Sequence, residues 1–266
     1  MGTKLKPLAR TTDVTVASVA RMYNYLLGGK DNYPADRAAC ETLVEVMPGL
    51  VHVVEAQRAF SLAAVDRLSS HHGVRQFLDF GCGLPDWVNT HQVARSSRVV
   101  YIDRDPMVVA HGRALLGEAG RTVVVQGDLL QGEDLFESWE FTGFIDFEEP
   151  VAIVMASVLH CVSDEEQPAA ALRGLLSRLS AGSFLVLSQW VSEDPETRER
   201  IGQIMRNSTA GSWGQVRTSA EVGALFGELT LEEPGLGDVS AWAGTERGTS
   251  SPAAVTEYGG VGRVQR

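Results

Sequence analysis

From residue 75 onward the sequence predicts an α/β fold: a Rossmann-like, doubly wound, mostly parallel sheet of seven strands, behind a helical N-terminal extension. Three observations predict it. Short apolar runs recur along the chain, and three of the four gaps between the first five hold helical spacing. Those runs are apolar at nearly every position instead of alternating, as strands buried on both faces by helices must be. The first run also ends in a glycine turn, Gly81-Cys82-Gly83, at the carboxyl edge where open α/β sheets bind ligands.

The elements follow in order. Asp13 is the expected cap of a first helix carried by Val16, Val19, Ala20, Tyr23, Leu26 and Leu27. Gly28-Gly29 stops it ahead of the polar loop Lys30-Asp31-Asn32. Pro34 suits a first helical turn, so Ala35 to Met47 reads as a second helix, ended by Pro48-Gly49. Leu50 to Ser70 is a third, closed by His71-His72-Gly73. These make residues 1–73 a helical extension or lid and residues 74–266 the sheet domain. In the latter, strands are expected at Gln76 to Phe80, Arg98 to Asp103, Thr122 to Gln126, Val151 to Ala156 and Phe184 to Ser188. Between them lie helices Trp87 to Ala94, Pro106 to Leu116 and Glu165 to Leu179, and a looser segment with Trp139 and Phe141. Helices Pro195 to Asn207 and Ser219 to Phe226 lead to strands Leu229 to Glu232 and Tyr258 to Val264, an antiparallel pair finishing the sheet. The Gly- and Ser-rich stretch Gly244 to Ala253 reads as an exposed connection.

Composition removes several function classes. Apolar residues make up 44% and charged residues 21%, an ordinary globular balance. The net charge of −11, without a long basic run, argues against gripping nucleic acid or an anionic membrane. Cys40, Cys82 and Cys161 are too few and too scattered for a disulfide framework or a thiolate zinc site, and they suit a reducing cytoplasm. The apolar stretch Val151 to Leu159 is broken by Ser157 and too short to span a bilayer. No apolar signal region follows MGTKLKPLAR, and Lys6 stands where a myristoylation signal at Gly2 needs Ser or Thr. The expectation is a soluble cytoplasmic protein with no metal.

The stretch Asp79 to Pro85 carries the chemistry. A nicotinamide-binding turn wants Gly or Ala where Asp86 stands, and a carboxylate at Asp79 would repel a pyrophosphate. It would attract a cation, such as the sulfonium and ammonium of S-adenosylmethionine; a tight turn with no ligand is the plainer alternative. Asp103 ends the second strand 24 residues after Asp79, where an acidic residue hydrogen-bonds a ribose diol. Asp105 competes for that role but stands before Pro106, where it suits a helix cap. After the third strand, Asp128 and Leu129 offer a carboxylate and an apolar face to an adenine.

The runs LDFGCGLP, VVYIDRDP, VVQGDLL and VLHCVSDEE resemble class I S-adenosylmethionine-dependent methyltransferases. With ARMYNYLLGGKDNYPADR, GLPDWVNTHQVA, VVYIDRDPMVVAHGRALL and YGGVGR, the chain resembles more closely the actinobacterial family called S-adenosyl methyltransferase. The resemblance covers nearly the whole chain and departs from the wider class at Pro85, where a third glycine is common. It implies that Asp79, Gly81 and Gly83 contact the methionine part of S-adenosylmethionine, Asp103 the ribose and Asp128 the adenine. Cys82, Arg104 and Leu129 join that contact set, with Tyr25 and Asn32 reaching in from a lid. The plainer reading of the lid is a helix end with Tyr23 or Tyr25 on the core.

His160, just past the fourth strand, is the candidate general base; the alternative is a structural histidine held by Ser157 or Asp164. Cys82 and Cys161 read as packing residues, and Trp190 as either a substrate wall or core. The expected activity is direct in-line transfer of a methyl group to a small-molecule acceptor, such as a secondary metabolite. A non-methylating use of the cofactor, for example intramolecular cyclisation, and a non-catalytic cofactor-binding protein are the alternatives.

Overall fold

The computed structural model describes residues 8–9, 11–137, 141, 143–242 and 254–265. Strands β1 (Gln76–Phe80), β2 (Arg98–Asp103) and β3 (Thr122–Gln126) pair in parallel on one side of β1, and β4 (Ala152–Ala156) and β5 (Phe184–Val191) on the other. After β6 (Thr230–Leu231) and β7 (Gly237–Asp238), the last strand β8 (Thr256–Arg263) returns antiparallel against all eight residues of β5. The sheet order is β3-β2-β1-β4-β5-β8-β6, with β7 paired to β8. The direction of winding therefore reverses between β1 and β4, which opens a crevice at their carboxyl ends.

Successive strand side chains point to opposite faces, and each face has its own core. Leu78, Val100, Ile102, Ile153, Met155, Leu185 and Leu187 meet α6 (Pro168–Ser177) and α8 (Ser219–Ala224). Phe77, Val99, Tyr101, Val154, Phe184 and Val186 meet α5 (Pro106–Leu115) and the second half of α3 (Leu50–Ser70), through Phe60, Ala64, Val65 and Leu68. The last strand packs closely because it is glycine-rich. A Cβ on Gly259 would stand 2.0 Å from the Leu187 carbonyl oxygen, and one on Gly260 2.8 Å from that of Gly235.

A third core lies apart from these two. Met22 of α1 (Val19–Leu26) and Ala39, Cys40 and Leu43 of α2 (Pro34–Val46) pack with Leu50, Val53 and Val54 of α3. Ile201 and Met205 of α7 (Pro195–Ser208) complete it, with Trp190 and Trp213. The helix α3, wholly within residues 1–73, thus contributes to this core at one end and packs on the sheet at the other.

Several boundaries differ from expectation for local reasons. Asp13 does not cap α1; its carboxylate accepts from the backbone and hydroxyl of Thr15, and Ser18 takes the cap position. The short helix α4 (Thr90–Val93) starts three residues late because Asn89 is extended and Gln92 reaches back to its backbone N–H. The short turn Asp164–Glu166 ends at Gln167, left-handed at φ 54°, and α6 begins at Pro168, which suits a first helical turn. The stretch Gly244 to Ala253 and Trp139 lie outside the described residues. Among the described residues no helix is long and apolar enough to cross a membrane.

The extension is held by one buried carboxylate. Asp36 accepts from the Ser18 backbone at 2.9 Å, from the Tyr33 backbone at 2.8 Å and from Arg21 Nε at 2.8 Å. Arg21 and Asp36 are 1% and 0% exposed, and the guanidinium also donates to the Val16 carbonyl. Removing one partner of such a pair strands the other charge away from water. Asp36→Ala is therefore expected to lower the unfolding free energy by about 3–5 kcal/mol, read from denaturant midpoints at constant slope. A loss within the scatter of surface substitutions would show that the pair holds nothing in place.

Candidate active site

A cleft of about 630 Å³ opens at the carboxyl ends of β1, β2, β3 and β4. Its floor is the run Phe80 to Asp86, with Asp103 to Pro106, Gly127 to Leu129 and Ala156 to Val158. Its roof is the N-terminal segment: Leu8, Ala9, Thr11 to Asp13, Val16 to Arg21, Tyr23, Asn24 and Leu27. That roof is pinned to the strand ends. The Ser18 hydroxyl donates to Asp105 at 2.8 Å, Gln126 donates to the Ala9 carbonyl at 2.7 Å, and the Ala17 N–H reaches the Ser208 carbonyl at 3.1 Å.

The glycine turn is required by its backbone. Gly81 and Gly83 have φ of 59° and 67°, where a side chain is strained. A Cβ on Gly81 would also meet Val158 at 2.7 Å, whereas one on Gly83 would meet nothing within 4 Å. Asp103, only 7% exposed, ties this turn to β2: its carboxylate accepts from the Gly83 N–H at 3.0 Å and the Asp105 N–H at 2.9 Å. Burial pushes its carboxyl up to about 6 against those two bonds. Asp105 caps α5 through the Met107 N–H, as its place before Pro106 implies. Asp128 accepts from the Leu130 N–H and pairs with Arg104 at 3.6 Å.

Asp79 is half-buried behind the turn and is not among the residues that line the cleft. Its carboxylate accepts from the Thr90 hydroxyl at 2.6 Å, and burial raises it to about 6, opposed by Thr90 and Arg58. Cys82 and Cys161 do line the cleft as free thiols, both pushed up by burial, Cys161 to about 12, so neither is a ready nucleophile.

Two expectations are corrected. Tyr25 and Asn32 do not line the cleft; Tyr23 and Asn24 do. The carboxamide of Asn32 is spent on the Asn24 side chain and the Gly29 carbonyl, while Asn24 also accepts from the Asp31 N–H. The loop wraps so tightly around Asn24 that a Cβ on Gly29 would stand 2.3 Å from it. His160 is likewise absent from the cleft. It is fully buried, stacked 4.3 Å from the Trp213 ring and 5.2 Å from Trp190, with neither ring nitrogen hydrogen-bonded. Neither expected partner holds it: Ser157 donates to Glu257, and Asp164 receives Arg217 at 2.7 Å. Burial, helped by Arg217, lowers the imidazole to about 3, so it stays neutral near pH 7 but cannot reach a substrate in the cleft. Trp190 is core, at 1% exposure.

Residues that the sequence reading missed also meet here. Arg58 of α3 lies on the cleft wall, ion-paired with Asp86 at 3.4 Å. Ser157 sits on the floor at φ 59°, and Thr209, Ala210 and Ser212 come from the end of α7. The arginines of the wall are all paired, Arg21 with Asp36, Arg58 with Asp86 and Arg104 with Asp128. Asp103 and Asp105 hydrogen-bond only neutral donors, which leaves the cleft an excess of negative charge suited to a cation.

A family model described as S-adenosyl methyltransferase matches residues 6–265. The chain belongs to that family. It is a methyltransferase that uses S-adenosylmethionine. A candidate methyltransferase from Thermobifida fusca shares 34% identity, with 96% of this chain and 97% of that one covered at a TM-score of 0.87. A DUF574 family protein from Streptomyces avermitilis shares 33%, covering 94% and 98% at 0.85. The fold is also that of the N-methyltransferase NodS of Bradyrhizobium japonicum in complex with S-adenosyl-L-homocysteine, at 17% identity, 91% and 98% coverage and a TM-score of 0.50. No curated protein matches. The residues present fit the family's cofactor: Gly83 leaves open space in the turn, and the carboxylates of Asp103 and Asp128 stand along the same cleft.

The His160 result is testable by NMR. The ring resonances are expected to stay unmoved from about pH 8 to pH 5, while an accessible imidazole would titrate near 6.5. With the folded value lowered to about 3, the folded state loses stability as pH falls below the unfolded value, and His160→Phe is expected to remove that share. A titration midpoint near 6.5 would put the ring in solvent and restore it as a candidate base.

Proposed function

We propose that the cleft seats S-adenosylmethionine with its methionine end at the Gly81–Gly83 turn, its ribose on Asp103 and its adenine beside Asp128 and Leu129. Asp79 acts behind the turn as a negative charge for the cationic end, and Arg104 holds Asp128 in place. Tyr23 and Asn24 take the wall positions first given to Tyr25 and Asn32. The acceptor is a small molecule, received on the side of the cleft formed by Thr209, Ala210, Ser212 and Leu27, in a protein of the cytoplasm.

The observation that carries this reading is the Asp103 carboxylate. A carboxylate offers about four lone-pair directions, and two are used by the Gly83 and Asp105 N–H groups. The remaining two suit the paired hydroxyls of a ribose, on an acid held by the same turn that would meet the methionine. A roofed cleft of about 630 Å³ is the size of a small-molecule site, and the net charge of −11 disfavours a nucleic-acid acceptor. S-Adenosylmethionine supplies an electrophilic methyl group on a positively charged sulfur. The protein's own residues orient it, exclude water beneath residues 8–9 and 11–24 and hold the acceptor in line.

Asp103→Ala is expected to weaken both S-adenosylmethionine and S-adenosylhomocysteine by about 1–3 kcal/mol in calorimetry, roughly 5- to 150-fold in Kd. An unchanged Kd would move the ribose contact elsewhere, and no heat with either ligand would remove the cofactor from this cleft. The N-terminal segment is the lid in this scheme, because it is the roof of the cleft. Amide exchange across residues 11–24 is expected to slow when S-adenosylhomocysteine is added, whereas rates indifferent to saturating ligand would make the segment a fixed wall.

A further inference from the structure

Beneath the cleft floor lies a group of buried polar side chains that cofactor binding does not use. Glu257 of β8 is fully buried and faces the end of β5, where Trp190 is its cross-strand partner. One carboxyl oxygen accepts from the Ser157 hydroxyl at 2.8 Å; the other has no hydrogen-bond partner. The Tyr23 hydroxyl, the Ser188 hydroxyl and the Trp190 indole N–H are also buried and unpartnered. A buried acid half-satisfied in this way is costly unless it has a task.

Ser157 connects this group to the cleft. It lines the floor, and its left-handed φ of 59° is held by its N–H on the Ser188 carbonyl at 2.7 Å and by its hydroxyl on Glu257. A non-glycine residue kept in that region between a strand end and a ligand cleft is the kind of strain that accompanies function. Tyr23 connects it from the roof, since it lines the cleft and its ring stacks 6.2 Å from that of Trp190, the cross-strand partner of Glu257. Cys161 lines the same cleft beside Ser157 and Tyr23.

We infer that Glu257 is a latent base for methyl transfer: it gives up its proton when a sulfonium occupies the cleft and, through Ser157, takes the proton that an O–H or N–H acceptor loses. The inference rests on the cofactor reading given above. The groups facing Glu257 are Tyr23 from α1, Ser157 from the end of β4, Ser188 from β5 and Asp238 from β7, none of them a cation. Burial, with Asp238, pushes the carboxyl up to about 8, opposed by the hydrogen-bonded Ser157 hydroxyl and by the polar Ser188 side chain nearby. The empty protein therefore holds it mostly protonated at neutral pH, and a nearby positive sulfur favours the ionised form.

The step balances. The acceptor's lone pair forms a bond to the methyl carbon as the carbon–sulfur bond breaks, and its electron pair returns to sulfur, which becomes neutral. The acceptor's proton passes to Ser157 Oγ while the serine's own proton passes to Glu257. The positive sulfur and the negative carboxylate are discharged together, so no isolated charge remains in a site shielded from water. The acceptor class that follows is one whose nucleophilic atom carries a proton, an alcohol, phenol or amine, as opposed to a thioether.

The test needs no acceptor. S-Adenosylmethionine and S-adenosylhomocysteine differ only in the transferable methyl group and the positive charge it places on sulfur, so their binding is compared by calorimetry at pH 7 in phosphate and in Tris, whose ionisation heats differ. Wild-type protein is expected to release roughly half a proton or more in excess with S-adenosylmethionine, because a carboxyl titrating near about 8 is mostly protonated at pH 7. Glu257→Gln keeps an acceptor for Ser157 and has no proton to give, so it is expected to erase the excess. Equal proton release by the two ligands in the wild type overturns the inference, and that comparison requires no variant to fold. An excess that persists in Glu257→Gln assigns the proton to another group and also overturns it. Absence of heat with either ligand is a different failure, since it overturns the cofactor reading itself.

Discussion

One buried carboxylate organises the half of the molecule that makes it more than a bare sheet. Asp36 collects the Ser18 and Tyr33 N–H groups and the Arg21 guanidinium in a place with no water. Those three donors come from the starts of α1 and α2 and from the body of α1, so the ion pair sets the angle between the two helices. With Arg21 also bound to the Val16 carbonyl, the chain ahead of α1 is aimed across the strand ends. A charged pair in a low-dielectric setting contributes little net stability, because desolvation offsets attraction, but it tolerates few alternative geometries. The ends of β1, β2 and β4 would lie open if this pair did not direct the roof.

The sheet presents the opposite physics. Its two faces are ordinary close-packed apolar layers, and its constraint is space. The last strand fits between β5 and the β6–β7 turn only because Gly259, Gly260 and Gly262 have no side chain, the nearest backbone contact to a Cβ being 2.0 Å. That tight packing brings Glu257, at the start of the same strand, against Ser157 and Trp190. The YGGVGR run therefore serves the site by letting the preceding carboxylate approach.

Around the cleft, acidic side chains divide by what satisfies them. Asp36, Asp86 and Asp128 are neutralised by arginines, whereas Asp79 and Asp103 meet hydroxyls and backbone N–H groups and are lifted by burial to about 6. The second group keeps its charge near pH 7 without a resident counter-ion, which is what a site for a positively charged cofactor requires. His160 shows the reverse case: stacked on Trp213 and packed against the tilted ring of Trp190, it is held neutral and out of reach.

Much of this was legible in the sequence because it is local. Strands β1, β2 and β3 and helix α3 fall where apolar runs and stop signals put them, since periodicity and turn chemistry act within a few residues. The glycine turn, Asp103 and Asp128 were legible for the same reason, as a parallel sheet brings successive strand ends to one edge. What tertiary structure alone decided is which neighbours face that edge. Tyr23 and not Tyr25 lines the cleft because of the way helix α1, tied to α2 through Asp36, presents its faces. Arg58 arrives from the middle of a helix whose pattern marks nothing special, and Glu257 reaches Ser157 across 100 residues of chain. Whether a polar residue near a strand end meets ligand, solvent or a pair of tryptophans depends on packing between distant segments, and no short-range pattern in the chain encodes it.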